Sequence, residues 1–89
     1  MKKNQKKLNK ELESALRKIK VGALYSHYKN PKRFYRIKFL GFLESTEEVC
    51  VGYRSIYGKG ILWVRTLKNF TERVEVNGKK IPRFKYLGK

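Results

Sequence analysis

Residues 53–70 read YRSIYGKGILWVRTLKNF. They contain Trp63, the single tryptophan of the chain, together with Tyr53, Tyr57 and a Gly58-Lys59-Gly60 turn. Paired glycines let a chain reverse within a few residues, so the stretch reads as the turn and second strand of a β-hairpin. In the strand, residues 61–65, Leu62 and Val64 oppose Ile61, Trp63 and Arg65, because successive side chains point to opposite faces. Thr66 is placed to cap one helical turn that would send Leu67 and Phe70 inward.

Working outward, residues 49–54 supply the first strand of that hairpin, with Val49, Val51 and Tyr53 on one face and Cys50, Gly52 and Arg54 on the other. Ser45-Thr46-Glu47 is a polar turn before it. In residues 34–44, Tyr35, Ile37 and Phe39 alternate with Arg36 and Lys38, the pattern of a half-buried strand, and Gly41 marks a bulge or bend. Residues 21–28 form an earlier strand, with Tyr25 and His27 on one side, and Pro31 fixes a turn over residues 29–32. Downstream, residues 72–76 and 79–87 flank Asn77-Gly78, a strong type I′ hairpin signal, and Pro82 confines its strand to an edge or an irregular start. Residues 1–20 place Leu8, Leu12, Ala15, Leu16 and Ile19 on one helical face, with Asn4 as cap and Lys18 and Lys20 at the end that favours cations. The expectation is a mainly β fold: a small barrel or roll of five to six antiparallel strands over residues 21–89, preceded by one amphipathic α-helix over residues 1–20.

The chain has 89 residues, enough for one modest core, and a formal net charge of +16 from 23 basic and 7 acidic residues. The basic excess runs through both the helix and the β region. A field of that sign attracts phosphates, whether in RNA, DNA, nucleotides or anionic lipid, unless it is only a solvated surface. A lone Cys50 permits no internal disulfide and suits a reducing, cytoplasmic setting. With one cysteine and one histidine, His27, no structural zinc site is available, and neither metal nor cofactor is expected. No apolar run approaches the ~18–20 residues that span a bilayer, and the basic N-terminus lacks the apolar stretch of a secretory signal. A membrane partner is disfavoured.

Four motifs, in order, carry a family resemblance. The first is Gly22, Tyr25, His27, Tyr28 and Lys29. The second is Thr46 and Glu48, leading to Tyr53, Arg54, Tyr57 and Gly58. The third is Leu62, Trp63, Val64, Arg65, Leu67 and Phe70, and the last is Gly78, Lys79, Pro82, Arg83 and Phe84. From Gly22 to about Tyr86 the sequence resembles the small bacterial family called domain of unknown function 1653. Ser45 and Thr66 stand where the family usually has Glu and Pro, and the basic helix lies outside the match. The resemblance implies a compact SH3-like roll or barrel and no particular reaction.

Two constellations are candidates for function. Tyr25, His27, Tyr28, Lys29, Arg54, Tyr57, Trp63, Arg65 and Arg83 combine aromatic faces that stack on bases with cations that hold phosphates. For Trp63 and Tyr53 in so small a domain, a place in the core competes with that of a platform. The second set, His27, Thr46, Glu48, Arg54, Arg65 and Arg83, would form an anion pocket if the turns converge. Within it His27 and Glu48 are the single acid–base pair a reaction could use. The first reading is a non-enzymatic module that binds RNA or DNA without sequence preference. The alternatives are a nucleotide or small-anion site, with or without catalysis, and a protein-interaction domain that engages its partner through the helix. No catalytic residue is assigned: the chain lacks a phosphate-cradling loop, and Gly58-Lys59-Gly60 is too short to be one.

Overall fold

The computed structural model describes residues 2–89. Its first helix starts where the Asn4 side-chain oxygen accepts the backbone N–H of Lys7 at 2.8 Å, which satisfies one of the orphan donors of the first turn. This helix, α1 (Gln5–Lys18), ends with Arg17 and Lys18 near its last carbonyls. Leu8, Ala15 and Ile19 are buried and Leu12 half-buried, so the apolar stripe rests on the β structure; Leu16 stays exposed. The entry to α1 is strapped down as well. Glu47 is buried with φ +60°, and its carboxylate accepts the backbone N–H groups of Lys2 and Lys3 at 3.1 and 2.8 Å.

The strands follow as β1 (Leu24–His27), β2 (Asn30–Leu43), β3 (Glu48–Ser55) and β4 (Leu62–Thr66), then helix α2 (Leu67–Thr71) and β5 (Arg73–Val76), β6 (Lys79–Pro82) and β7 (Phe84–Gly88). Five form one antiparallel sheet in the order β4-β3-β2-β1-β7, and β5 and β6 form a separate hairpin. The fold is mainly β with one N-terminal helix. The sheet is open: β4 and β7 are edges that do not meet, so no closed barrel forms.

Seven strands replace the expected five to six because residues 79–87 divide at Pro82. Pro82 has no N–H to continue a ladder, and β6 ends there. Arg83 N–H bonds the Glu72 carbonyl at 3.2 Å, and Phe84 opens β7 beside β1. The Asn77-Gly78 turn matches its signal, with φ of 52° and 78° as a type I′ turn requires.

Two local expectations are corrected. The reversal before β2 is tighter than a turn over residues 29–32: His27 already pairs with Asn30, and Asn30, Pro31 and Lys32 belong to the strand. The bulge lies at Lys38, not at Gly41, which pairs regularly with Cys50. One extra residue flips the alternation that follows. Tyr35 and Ile37 point inward as expected, but Phe39 is thrown to the outer face and Leu40 takes the inward place.

The inner face of the sheet holds the core. Tyr25, Tyr35, Ile37, Val51 and Tyr53 pack there with Ile19, Ala23, Phe70 and Phe84. Phe70 is delivered by α2, whose start is capped by Thr66 Oγ1 accepting the Asn69 N–H at 3.1 Å. Phe70 and Phe84 stack with centroids 4.1 Å apart, and Tyr25 and Tyr53 approach Phe70 edge-on.

Candidate functional site

Register places the site. Tyr53 pairs with Trp63 and Val51 with Arg65, so Trp63 and Arg65 of β4 share the inner face at the sheet's edge. From the other side β1 ends at His27, which pairs with Phe84 of β7 and sets its ring edge-on to that phenyl at 5.0 Å. The tight β1–β2 turn adds Lys29, and the start of β2 adds Asn30. Together with Tyr35 and Tyr53 these residues line a cleft of about 220 Å³.

Each group is held in place. The Trp63 indole N–H donates to Ser55 Oγ at 3.0 Å, yet the side chain remains 46% exposed. Trp63 is therefore not a core residue, whereas Tyr53, at 4% exposure, is. Arg65 donates from Nε to the Tyr53 hydroxyl at 2.8 Å and from Nη1 to Asn69 Oδ1, with its guanidinium 5.4 Å from the Phe84 ring centroid. Its Nη2 makes no hydrogen bond among the described residues. His27 Nδ1 accepts the backbone N–H of Lys29 at 3.2 Å, which leaves the proton of the neutral ring on Nε2. Burial lowers the His27 pKa below its ordinary 6.5, and the nearby charges of Arg65, Arg83 and Lys29 push it the same way. At neutral pH the imidazole is an uncharged donor near three cations.

The other candidates lie elsewhere. Tyr25 is buried in the core against Phe70 and Tyr86. Tyr28 stacks beside His27 at 4.7 Å without lining the cleft. Tyr57 hydrogen-bonds Tyr35 between hydroxyls at 2.9 Å and lies under the Arg33 guanidinium. Arg83 bridges to the Glu72 carboxylate at 2.8 Å and the Asn69 carbonyl at 3.1 Å, so it braces α2 while its charge reaches His27. Arg54 faces the opposite side of the sheet. Glu48 pairs with Leu43 at the last residue of β2, whereas His27 pairs with Asn30 at its first. The two cannot act as an acid–base pair, and Thr46, in the turn before β3, shares the far end with Glu48.

Asn30, Tyr35, Tyr53 and Phe84 complete the cleft without having been singled out as ligand contacts. Tyr35 carried a signal in the alternation of β2, but for burial rather than for a lining role. Among the described residues no carboxylate lines the cleft. An exposed indole face, a guanidinium with a spare edge, an ammonium and an imidazole N–H suit a flat ring with an attached anion. Among the described residues no cluster of three His, Cys, Asp or Glu side chains could hold a metal ion, and no helix is long and apolar enough to cross a membrane.

Comparison with known proteins gives two findings. The sequence profile of the family described as a protein of unknown function, DUF1653, matches residues 23–86. The crystal structure of a DUF1653 protein from Bordetella bronchiseptica superposes with a TM-score of 0.64 at 30% identity, covering 75% of this chain and 86% of that one. No curated protein matches.

Proposed function

This chain belongs to the DUF1653 family, and on that premise we propose that it is a non-enzymatic module that binds single-stranded RNA or DNA without sequence readout. One observation carries the reading: the half-exposed Trp63 ring stands in one cleft with Arg65, Lys29 and His27, and among the described residues no carboxylate lines that cleft. A base that is free to leave its stack lies on the indole, and its phosphate meets the cations. A duplex hides its base faces, which is why the single-stranded form is favoured. The +16 charge extends the attraction far beyond the cleft, as a polymer requires and a small ligand does not. A cytoplasmic, reducing setting fits the unpaired Cys50.

A free nucleotide or small anion is the alternative ligand, since the same groups would serve it. At about 220 Å³ the cleft falls below the usual ~300–1,000 Å³ of small-molecule pockets, which favours one nucleotide unit of a longer strand. A catalytic version loses its acid–base pair to the separation of His27 from Glu48.

The test is fluorescence anisotropy of the full chain with single- and double-stranded RNA and DNA over a salt series. Single strands are expected to bind, with log affinity falling along log salt by about 0.7 per phosphate contact. Trp63→Ala should weaken binding at least about fivefold, the low end for one stacked base. No binding of single strands at low salt would overturn the proposal. Tight binding of mononucleotides that a strand cannot displace would shift it to the small-ligand reading.

A further inference from the structure

On the outer face of the sheet, Arg36 of β2 lies directly opposite Arg54 of β3. Like charges in facing positions destabilise a strand pair, and no acidic side chain relieves this one. Among the described residues the ion pairs are Lys3–Glu11 and Arg83–Glu72, and neither involves these arginines. Each guanidinium is instead fixed by a backbone carbonyl: Arg36 Nη1 donates to Gly22 at 2.6 Å and Arg54 Nη1 to Gly60 at 2.7 Å. The remaining N–H groups are left for another acceptor.

The same face is apolar where it should be wet. Phe34 and Phe39 are 42% and 40% exposed, and Leu62 and Val64 of β4 are exposed beside them. Phe34 and Phe39 flank Arg36 along β2, roughly 13 Å apart once the Lys38 bulge is allowed for, four strand steps on the facing β3. That span is too long for one small anion and fits an extended partner that alternates rings with charges. The net charge of +16 opposes a second copy of this chain. Strand β4 divides the two faces, with Trp63 and Arg65 toward the cleft and Leu62 and Val64 toward the outside.

We infer that this face is a second contact for the single-stranded polynucleotide proposed for the cleft. Arg36 and Arg54 hold phosphates, Phe34 and Phe39 stack on bases, and the strand crosses the β4 edge between the two surfaces. The inference rests on the cleft reading and goes beyond it in site and in length of strand bound.

The experiment compares full-length wild type, Arg36→Gln/Arg54→Gln, Phe34→Ala and Trp63→Ala, each checked for an unchanged circular dichroism spectrum. The probe is a labelled single strand of about 16 nucleotides, the upper site size for a module of this scale. The double arginine variant is expected to lose affinity and to make the log–log salt slope shallower by about 0.7 for each phosphate contact removed. Phe34→Ala, which alters neither arginine, should weaken binding at least about fivefold. Unchanged affinity and slope in both outer-face variants, with Trp63→Ala still weakened, would overturn the inference and leave the cleft reading standing. Wild type that binds no single strand would overturn both. Two further results would overturn it by assigning the face to another occupant, in each case with strand binding unaffected by the arginine substitutions. One is binding to phosphatidylglycerol vesicles that those substitutions abolish. The other is a dimer, seen by sedimentation, that they dissolve.

Discussion

Phe39 occupies the space where a side chain on Gly52 would begin. The two residues pair directly across β2 and β3, and a Cβ at Gly52 would collide with the Phe39 ring. The bulge at Lys38 causes the contact, because without it Phe39 would point into the core. Gly52→Ala must push the ring off the sheet. The ring is half in solvent and can swing away, so the loss is expected at the low end of overpacking, about 1 kcal/mol. Urea denaturation measures it. Adding Phe39→Ala should remove most of the penalty, giving a coupling between neighbours that independent sites would not show.

Phe70→Ala is expected to be far more damaging. Phe70 is almost fully buried, stacks on Phe84 and receives the edges of Tyr25 and Tyr53, so its loss opens a cavity with walls from three strands. The cost should be about 3–5 kcal/mol, a large share of the ~5–15 kcal/mol that hold a domain together. A lowered denaturation midpoint with unchanged m-value would show it. An effect below about 1 kcal/mol would mean the stack is not the centre of the core.

Glu47 ties the helix entry to the β2–β3 turn. Its carboxylate takes two backbone N–H groups, from Lys2 and Lys3, and Lys3 Nζ returns to the Glu47 carbonyl at 2.9 Å. Glu47→Ala should cost about 1.5–3 kcal/mol, the range for a hydrogen-bonded charge. Glu47→Gln keeps an acceptor and should cost less. Thermal unfolding ranks the pair, and an unchanged midpoint in Glu47→Ala would show that the strap contributes nothing.

How much of this could be read from the chain depends on how local the cause is. Asn4, Thr66 and Asn77-Gly78 act within a few residues of themselves, and each does what its chemistry announces. The parity of Trp63 with Arg65, and of Arg54 with Gly52, was also visible, because alternation belongs to one strand. Which face of β3 meets which face of β4 was not visible. That follows from the Tyr53–Trp63 register, set by packing of residues far apart in sequence. Arg54 and Arg65 therefore looked like one site and stand on opposite faces. The Lys38 bulge had no local signal, while Gly41, the residue that offered one, pairs normally. Tyr25 and Trp63 belong to one candidate set in the sequence and part company for the same reason: an internal strand buries the tyrosine, and an edge strand leaves the tryptophan half open.

His27 makes the cleft sensitive to pH, and the direction is fixed by its lowered pKa. In the unfolded chain the group takes its proton near pH 6.5; in the folded protein it does so only at a lower pH. Between those two values the unfolded state binds more protons, so stability is level above about pH 6.5 and declines as pH drops through that window. His27→Gln should flatten the decline, and denaturation midpoints over the acid range would show it. An anion in the cleft reverses the electrostatics. It offsets Arg65, Arg83 and Lys29, raises the His27 pKa and draws a proton in on binding. Affinity for a single strand should therefore rise as pH falls toward the raised His27 pKa of the complex, by at most about tenfold for each unit the anion raises that pKa. In His27→Gln the rise should vanish while the salt slope persists. Affinity that climbs equally in wild type and variant would place the proton uptake elsewhere and remove His27 from the binding surface.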